Sequence, residues 1–278
     1  MSSEKSTGAA TATTGSGDIT RSLELLWGTG EPPVRGARGP KRGLTLDRIV
    51  TAAVEVADAE GLDAVSMRRL STELGAGTMS LYRYVPGKAE LLDLMLDHVL
   101  GDALDSPAPP PADWRAAVEF LAREQIDLYR RHPWLLKVNQ ARTVLGPSAL
   151  RGFERALRGL KGMGLSDPET LSVIITVQSF AAGIARMEAH AVEAAKETGV
   201  SDEEFWTRQG PFLVRAMESG DYPLIAALSE GTFAHDVDHF GFGLRALLAG
   251  FEALVAARTS RQGAPPDDAA TAVTGHGS

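Results

Sequence analysis

Hydrophobic positions in this chain recur with the period of a helix wherever they recur at all. Leu46, Ile49, Val50, Ala53, Val54 and Ala57 share one face, with Asp47, Thr51, Glu55 and Asp58 on the others. Thr45 stands where a side-chain oxygen can accept from the first free amides, and Leu44 with Ile49 fits the apolar staple around such a cap. Gly61 ends this helix. Ser66 caps a second one running to Leu74, and Gly75-Ala76-Gly77 separates it from a very short third, Thr78 to Tyr84. After Pro86 and Gly87 a further helix opens at Lys88 and reaches about Leu100. Beyond the PAPPP run at 107–111, helical periodicity returns at 114–131, 134–144, 147–163, 169–197, 202–218 and 236–258. The alternation that marks half-buried strands is absent, so the chain reads as all-α.

The two ends read differently from the middle. Residues 1–20 are Ser, Thr, Gly and Ala with hardly any large apolar group. They have too little to bury against the entropy of ordering, and a flexible tail is predicted. Leu23, Leu25, Leu26 and Trp27 suffice for one short docked turn. A Gly/Pro-rich basic arm follows, and 260–278 is polar again. The predicted organisation is a tail and arm at 1–43, a three-helix head at 44–92, a helical body at 93–259 and a tail at 260–278.

Composition removes several kinds of chemistry. The 278 residues include no cysteine, which excludes disulfides, thiolate nucleophiles and thiolate zinc sites. Uninterrupted apolar runs fall far short of 18 residues and no secretory pattern is visible, so a cytoplasmic protein without a membrane partner is expected. No Gly-x-Gly-x-x-Gly follows a strand, and there is neither a P-loop nor a Gly-x-Ser-x-Gly elbow. No enzymatic activity and no cofactor are expected. His235, Asp236, Asp238 and His239 have a spacing that metal ligation tolerates, but no third ligand is identifiable and no metal is assigned.

The net charge of −8 argues against a general coat for nucleic acid, yet cations concentrate locally. Arg35, Arg38, Lys41 and Arg42 stand together without an acid, and Arg68, Arg69, Arg83 and Lys88 face only Glu73 between 66 and 88. Between the two clusters of that charge lies the informative spacing. A short helix, a three-residue glycine-containing turn and a second short helix are what a helix-turn-helix uses to enter a DNA major groove. Leu81 and Val85 turn inward against Leu70 and Leu74, leaving Thr78, Met79, Ser80 and Tyr82 for base edges or sugars. Ser66, the amides after Gly87, and Lys88 suit phosphate. The arm residues Arg38, Lys41 and Arg42 are placed to reach phosphates or a minor groove.

The stretch from RIVTAAVEVADAEGL through SMRRLSTELGAGTMSLYRYVPGKAELL to LDLMLDHVL resembles, over residues 44–100, the N-terminal domain of the TetR family of bacterial transcriptional regulators. That resemblance implies an N-terminal three-helix helix-turn-helix domain and makes Ser66, Arg68, Thr78, Tyr82, Tyr84 and Lys88 contacts to DNA or phosphate. Two positions depart from the common pattern: Gly77 replaces the usual Ser or Thr cap, and Met79 fills a position that is often small. YRRHPWLL, GIARMEAHA and FGFGLRALLAGFEAL resemble the tetracycline-repressor type of C-terminal domain. They imply a helical ligand-binding and dimerisation domain.

The implied partners are double-stranded DNA with a roughly palindromic operator, a small-molecule effector and a second copy of the chain. The implied function is a ligand-responsive, sequence-specific regulator, a repressor that releases its operator on binding the effector. A helical sensor acting through a protein partner is the alternative from another class. Small residues on 169–197 and 236–258, among them Ala181, Gly183, Ala185, Gly243 and Gly250, suit a close dimer contact. Candidate effector contacts are Phe120, Trp134, Val138, Met163, Val177, Phe180, Met187, His190 and Phe212, with His190 beside Arg186 and Glu193 as the polar handle.

Overall fold

The computed structural model describes residues 12–29, 43–104, 111, 113–229, 232 and 237–262. Arg38, Lys41, Arg42, His235 and Asp236 lie outside the described residues.

The head forms as its local signals dictate. Helix α2 (Leu46–Glu60) starts at Thr45, whose hydroxyl oxygen accepts from the Arg48 amide at 3.2 Å. Ser66 does the same for Arg69 at the start of α3 (Met67–Glu73), again at 3.2 Å. Gly75, at φ +60, takes the left-handed conformation that lets the chain leave α3 and turn at once into α4 (Thr78–Tyr82). Ile49, Val65, Leu70, Leu81 and Val85 are completely buried in one core. That core continues through Leu91–Leu96 and Val99 of α5 (Lys88–Leu104) to Trp134, Leu135 and Val138. The sequence-based boundary at 92/93 therefore falls inside an unbroken helix and an unbroken core.

The body comprises α6 (Trp114–Arg131), α7 (Pro147–Leu160), α8 (Asp167–Thr198), α9 (Asp202–Glu218), α10 (Pro223–Ala226) and α11 (His239–Gln262). A second core gathers Val118, Leu160, Met163, Val173, Ile174, Val177, Leu244, Leu248 and Phe251. Ser166 and Glu169 form a reciprocal capping box that starts α8.

Three expectations change. Within the segment read as a flexible tail, the described residues 12–20 are ordered. Ala12–Thr13 (β1) pairs in parallel with Val138–Asn139 (β2), and Ile19–Trp27 forms α1, capped by Asp18. Little apolar area is needed there, because the buried polar groups of this segment find hydrogen-bond partners on distant elements. Second, 134–144 is no helix: a 3-10 turn at Pro133–Lys137 passes into β2 and then a loop. Its apolar spacing reflects burial of Trp134, Leu135 and Val138 from a turn, which periodicity cannot tell from one helical face. Third, Asp167–Thr198 and His239–Ser260 are long and apolar enough on average to cross a bilayer, although neither holds a long uninterrupted apolar run. Run length misses them because single polar residues interrupt stretches of Ala, Gly and Val.

Candidate DNA-reading helix and ligand cavity

Helix α4 sits at the surface of the head with Leu81 as its buried anchor. Met79 (77% exposed) and Tyr82 (44% exposed) project outward, as do Arg68 and Arg83, while Thr78 and Ser80 are half-buried beside them. Thr78 donates to Ser71 Oγ at 3.2 Å across the turn, linking the two helices of the motif. Gly77 offers no side-chain cap to the first amides of α4, and its carbonyl accepts from the Ser80 amide at 2.8 Å. Ser66 remains exposed with its hydroxyl proton unused by the cap it makes.

Two of the expected contacts carry structural work. Tyr84 is half-buried and its hydroxyl donates to the Leu44 carbonyl at 2.8 Å, fastening the exit of α4 to the start of α2. Lys88 donates to the Leu62 carbonyl at 3.3 Å while its ammonium keeps two further protons at an exposed site. The cationic patch is also smaller than the sequence count. Arg69 bonds Glu60 and Glu73, each at 2.7 Å, and these carboxylates push its guanidinium pKa up, while Arg69 holds Glu60 below the usual carboxylate value. Glu60 lies at the end of α2, outside the 66–88 stretch. Arg68, Arg83 and Lys88 are left to meet an anion.

A polar joint fastens the head to the body. Asp58 near the end of α2 accepts from Trp134 Nε1 at 2.8 Å and faces His132 Nδ1 at 2.8 Å. Trp134, expected to touch effector, is thereby committed to the joint and the first core.

Between α5, α6, α7 and the 140–149 segment lies a cavity of about 300 Å³. Leu96, Leu100, Ala103 and Leu104 of α5 form one wall; Phe120, Leu121, Leu128 and Tyr129 of α6 and Phe153 and Ala156 of α7 form others. Polar groups are few: Glu124, Gln125, Gln140, Thr143, Ser148, Arg155 and Gln178, with the Tyr129 hydroxyl. Arg155 pairs with Glu124 and lies over the Phe120 ring, 5.3 Å from its centroid. Burial pushes the Glu124 carboxyl up against the opposing pull of Arg155. Burial likewise raises the Tyr129 hydroxyl, keeping it a proton donor.

Of the nine expected effector contacts, Phe120 lines this cavity. Val138, Met163 and Val177 are buried in the two cores, and Phe180 stacks on Phe240. Met187, His190 and Phe212 are on the outer surface, and Glu193 beside His190 is engaged by Lys137. The Met and aromatic stripes of the sequence mostly mark faces that pack, whereas the cavity is marked by the polar residues Glu124, Gln125 and Arg155 set on otherwise apolar helix faces. That interruption was the signal available in the sequence.

The dimer candidates divide as well. Ala181 and Ala185 are buried against Ile126 within the chain, and a Cβ at Gly243 would collide with the Phe180 ring. Gly183 and Gly250 face open space.

Residues 49–95 match the family model of bacterial regulatory proteins of the tetR family, and 106–255 match that of the tetracycline repressor-like C-terminal domain. The chain is 57% identical over 254 residues to the HTH-type transcriptional repressor DrrR1 of Streptomyces coeruleorubidus, covering 90% of this chain and 91% of that one. Among solved structures it resembles the TetR family protein ActR of Streptomyces coelicolor in complex with actinorhodin, with 31% identity, a TM-score of 0.61, and 77% of this chain and 97% of that one covered. The chain thus belongs to the TetR family of bacterial transcriptional regulators, as a ligand-responsive DNA-binding protein with an N-terminal helix-turn-helix and a helical C-terminal domain.

Proposed function

We propose that two copies of this chain bind a roughly palindromic operator, each reading a half-site with α4, and that a small molecule in the α5–α7 cavity releases it. Thr78, Met79, Ser80 and Tyr82 are the base-facing set; Ser66, Arg68, Arg83 and Lys88 anchor phosphates. The arm residues Arg38, Lys41 and Arg42 add sequence-independent attraction. The functional division follows the head at 44–92 and the body at 93–259. The chain performs no catalysis and needs no cofactor.

The observation that carries this reading is that α5 serves both ends. Its first residue, Lys88, follows the exit of α4, and its last two turns form a cavity wall. A ligand that shifts this helix changes the separation of two reading heads that must match half-sites about 34 Å apart. The cavity suits a largely apolar molecule carrying several hydrogen-bonding groups, since a few polar side chains interrupt an apolar lining.

The test uses a duplex recovered from a random pool by the wild-type chain, with actinorhodin, the molecule bound by the related ActR, as first probe. A coupling of about 1–3 kcal/mol, or roughly 5- to 150-fold in duplex affinity, is expected, and duplex should weaken binding of the molecule by the same factor. A molecule that fills the cavity with equal affinity in the presence and absence of duplex would refute release by that site.

A further inference from the structure

Residues 12–27 precede the stretch matched to the family's DNA-binding domain, yet they are held at both of their faces by hydrogen bonds to distant elements. On one side Thr14 (1% exposed) donates from its hydroxyl to the Arg142 carbonyl at 2.9 Å and from its amide to the Asn139 carbonyl at 3.1 Å. Trp27 Nε1 donates to the Leu145 carbonyl at 3.3 Å. These carbonyls belong to the loop whose Gln140, Thr143 and Leu145 line the cavity. On the other side the Gly15 amide and the Ser22 hydroxyl each donate to Asp93 at 2.8 Å, and the Asp18 amide donates to Glu90 at 2.9 Å. Asp93 (3% exposed) and Glu90 (7% exposed) lie on the first two turns of α5, at the head end, whereas the cavity wall uses its last turns. Gly17 is required at this contact, because a Cβ there would collide with Glu90 and lie 2.9 Å from the Ala89 methyl.

We propose that Thr14, Ser22 and Trp27 are positioning residues, and that 12–27 is a strap carrying the position of the 139–145 cavity loop to the head end of α5. The strap rests on the release reading above for its purpose, but its mechanical link does not. Asp93, accepting from the Gly15 amide and the Ser22 hydroxyl, and Glu90, accepting from the Asp18 amide, hold these partners in one geometry through charge-assisted bonds. Loop and helix start therefore move together through the strap, alongside the direct path along α5.

Amide hydrogen exchange on the full chain tests both ends. Thr14→Val removes a grip on the loop, and exchange should rise several-fold at 88–95 as well as at 139–145. Ser22→Ala loosens the α5 end, and exchange should rise at 139–145. Thr14→Ser keeps the hydroxyl and should behave as wild type. Adding the selected duplex to the wild-type chain should slow exchange at 139–145 several-fold, and this slowing should be lost in Ser22→Ala. If either variant loosens only the residues it touches, the strap is passive cladding and the proposal fails. If the wild-type chain recovers no duplex, the DNA reading fails while the cross-strap exchange still decides the link.

Discussion

In the head, Ile49, Val65, Leu70, Leu81 and Val85 are completely buried, whereas no residue of α9 or α10 is more than half-buried. The two regions are not short of apolar side chains to different degrees; they place them differently. Phe212 is 70% exposed, Leu224 84% and, on the neighbouring α11, Phe242 67%. A soluble chain rarely leaves so many large apolar groups facing water without covering them. The head buries its apolar side chains within one chain. The outer body leaves many of its own uncovered, and in the reading proposed above a second copy is their cover.

Breaking that cover should have the largest effect. Phe242→Glu with Leu254→Glu on α11 should yield a folded monomer, and duplex affinity should fall by roughly 100-fold or more, because linked half-site binding is lost. Sedimentation velocity and duplex titration on the same samples check this. A variant that stays dimeric would place the contact elsewhere on α8–α11.

The inner face of the same helix should respond differently. Gly243→Ala forces a methyl into the Phe180 ring and should lower stability by about 1–3 kcal/mol, read by denaturant unfolding. The half-dimer concentration should change far less than in the outer-face variant.

Within the head, the two tyrosines of α4 and its exit separate reading from scaffolding. Tyr82→Ala should weaken duplex binding about tenfold with an unchanged melting temperature. Tyr84→Phe, which loses the bond to the Leu44 carbonyl, should cost about 1 kcal/mol of stability and leave affinity nearly intact. Equal affinity losses in both would mean that Tyr84 also touches DNA.

The smallest effect concerns the seam between α8 and α11. Arg258 and the Ser166 cap hold the Glu169 carboxyl at about 2, below its ordinary 4.5. The folded chain binds fewer protons there than the unfolded one, so this contribution is present above about pH 4.5 and lost as pH falls toward 2. Glu169→Gln should therefore melt slightly lower than wild type at pH 7, with the difference closing between pH 4.5 and 2 in thermal scans.

The head was nearly legible from its residues, and the cavity was hardly legible at all. Thr45, Ser66, Gly61 and Gly75 act on amides and dihedrals within a few positions of themselves, so their roles can be read in order along the chain. Leu81 follows from one helical turn of spacing. The cavity gathers residues of α5, α6, α7 and a loop, and Trp134, an obvious aromatic candidate, is diverted to Asp58, 76 positions away. Arg69 looked available until Glu60, on another helix, took its charge.

Sequence alone thus determined, for the head, where its helices start and stop and which short helix turns outward, because these depend on neighbours a turn away. Only the tertiary structure decided that residues 12–20 are ordered, since their stability lies in Asp93, Glu90 and the carbonyls of Asn139 and Arg142, 72 to 128 positions distant. A stretch of Ser, Thr and Gly carries no hydrophobic signature of docking. Its polar groups become binding groups once folding elsewhere has buried their partners and removed the water that would have competed for them.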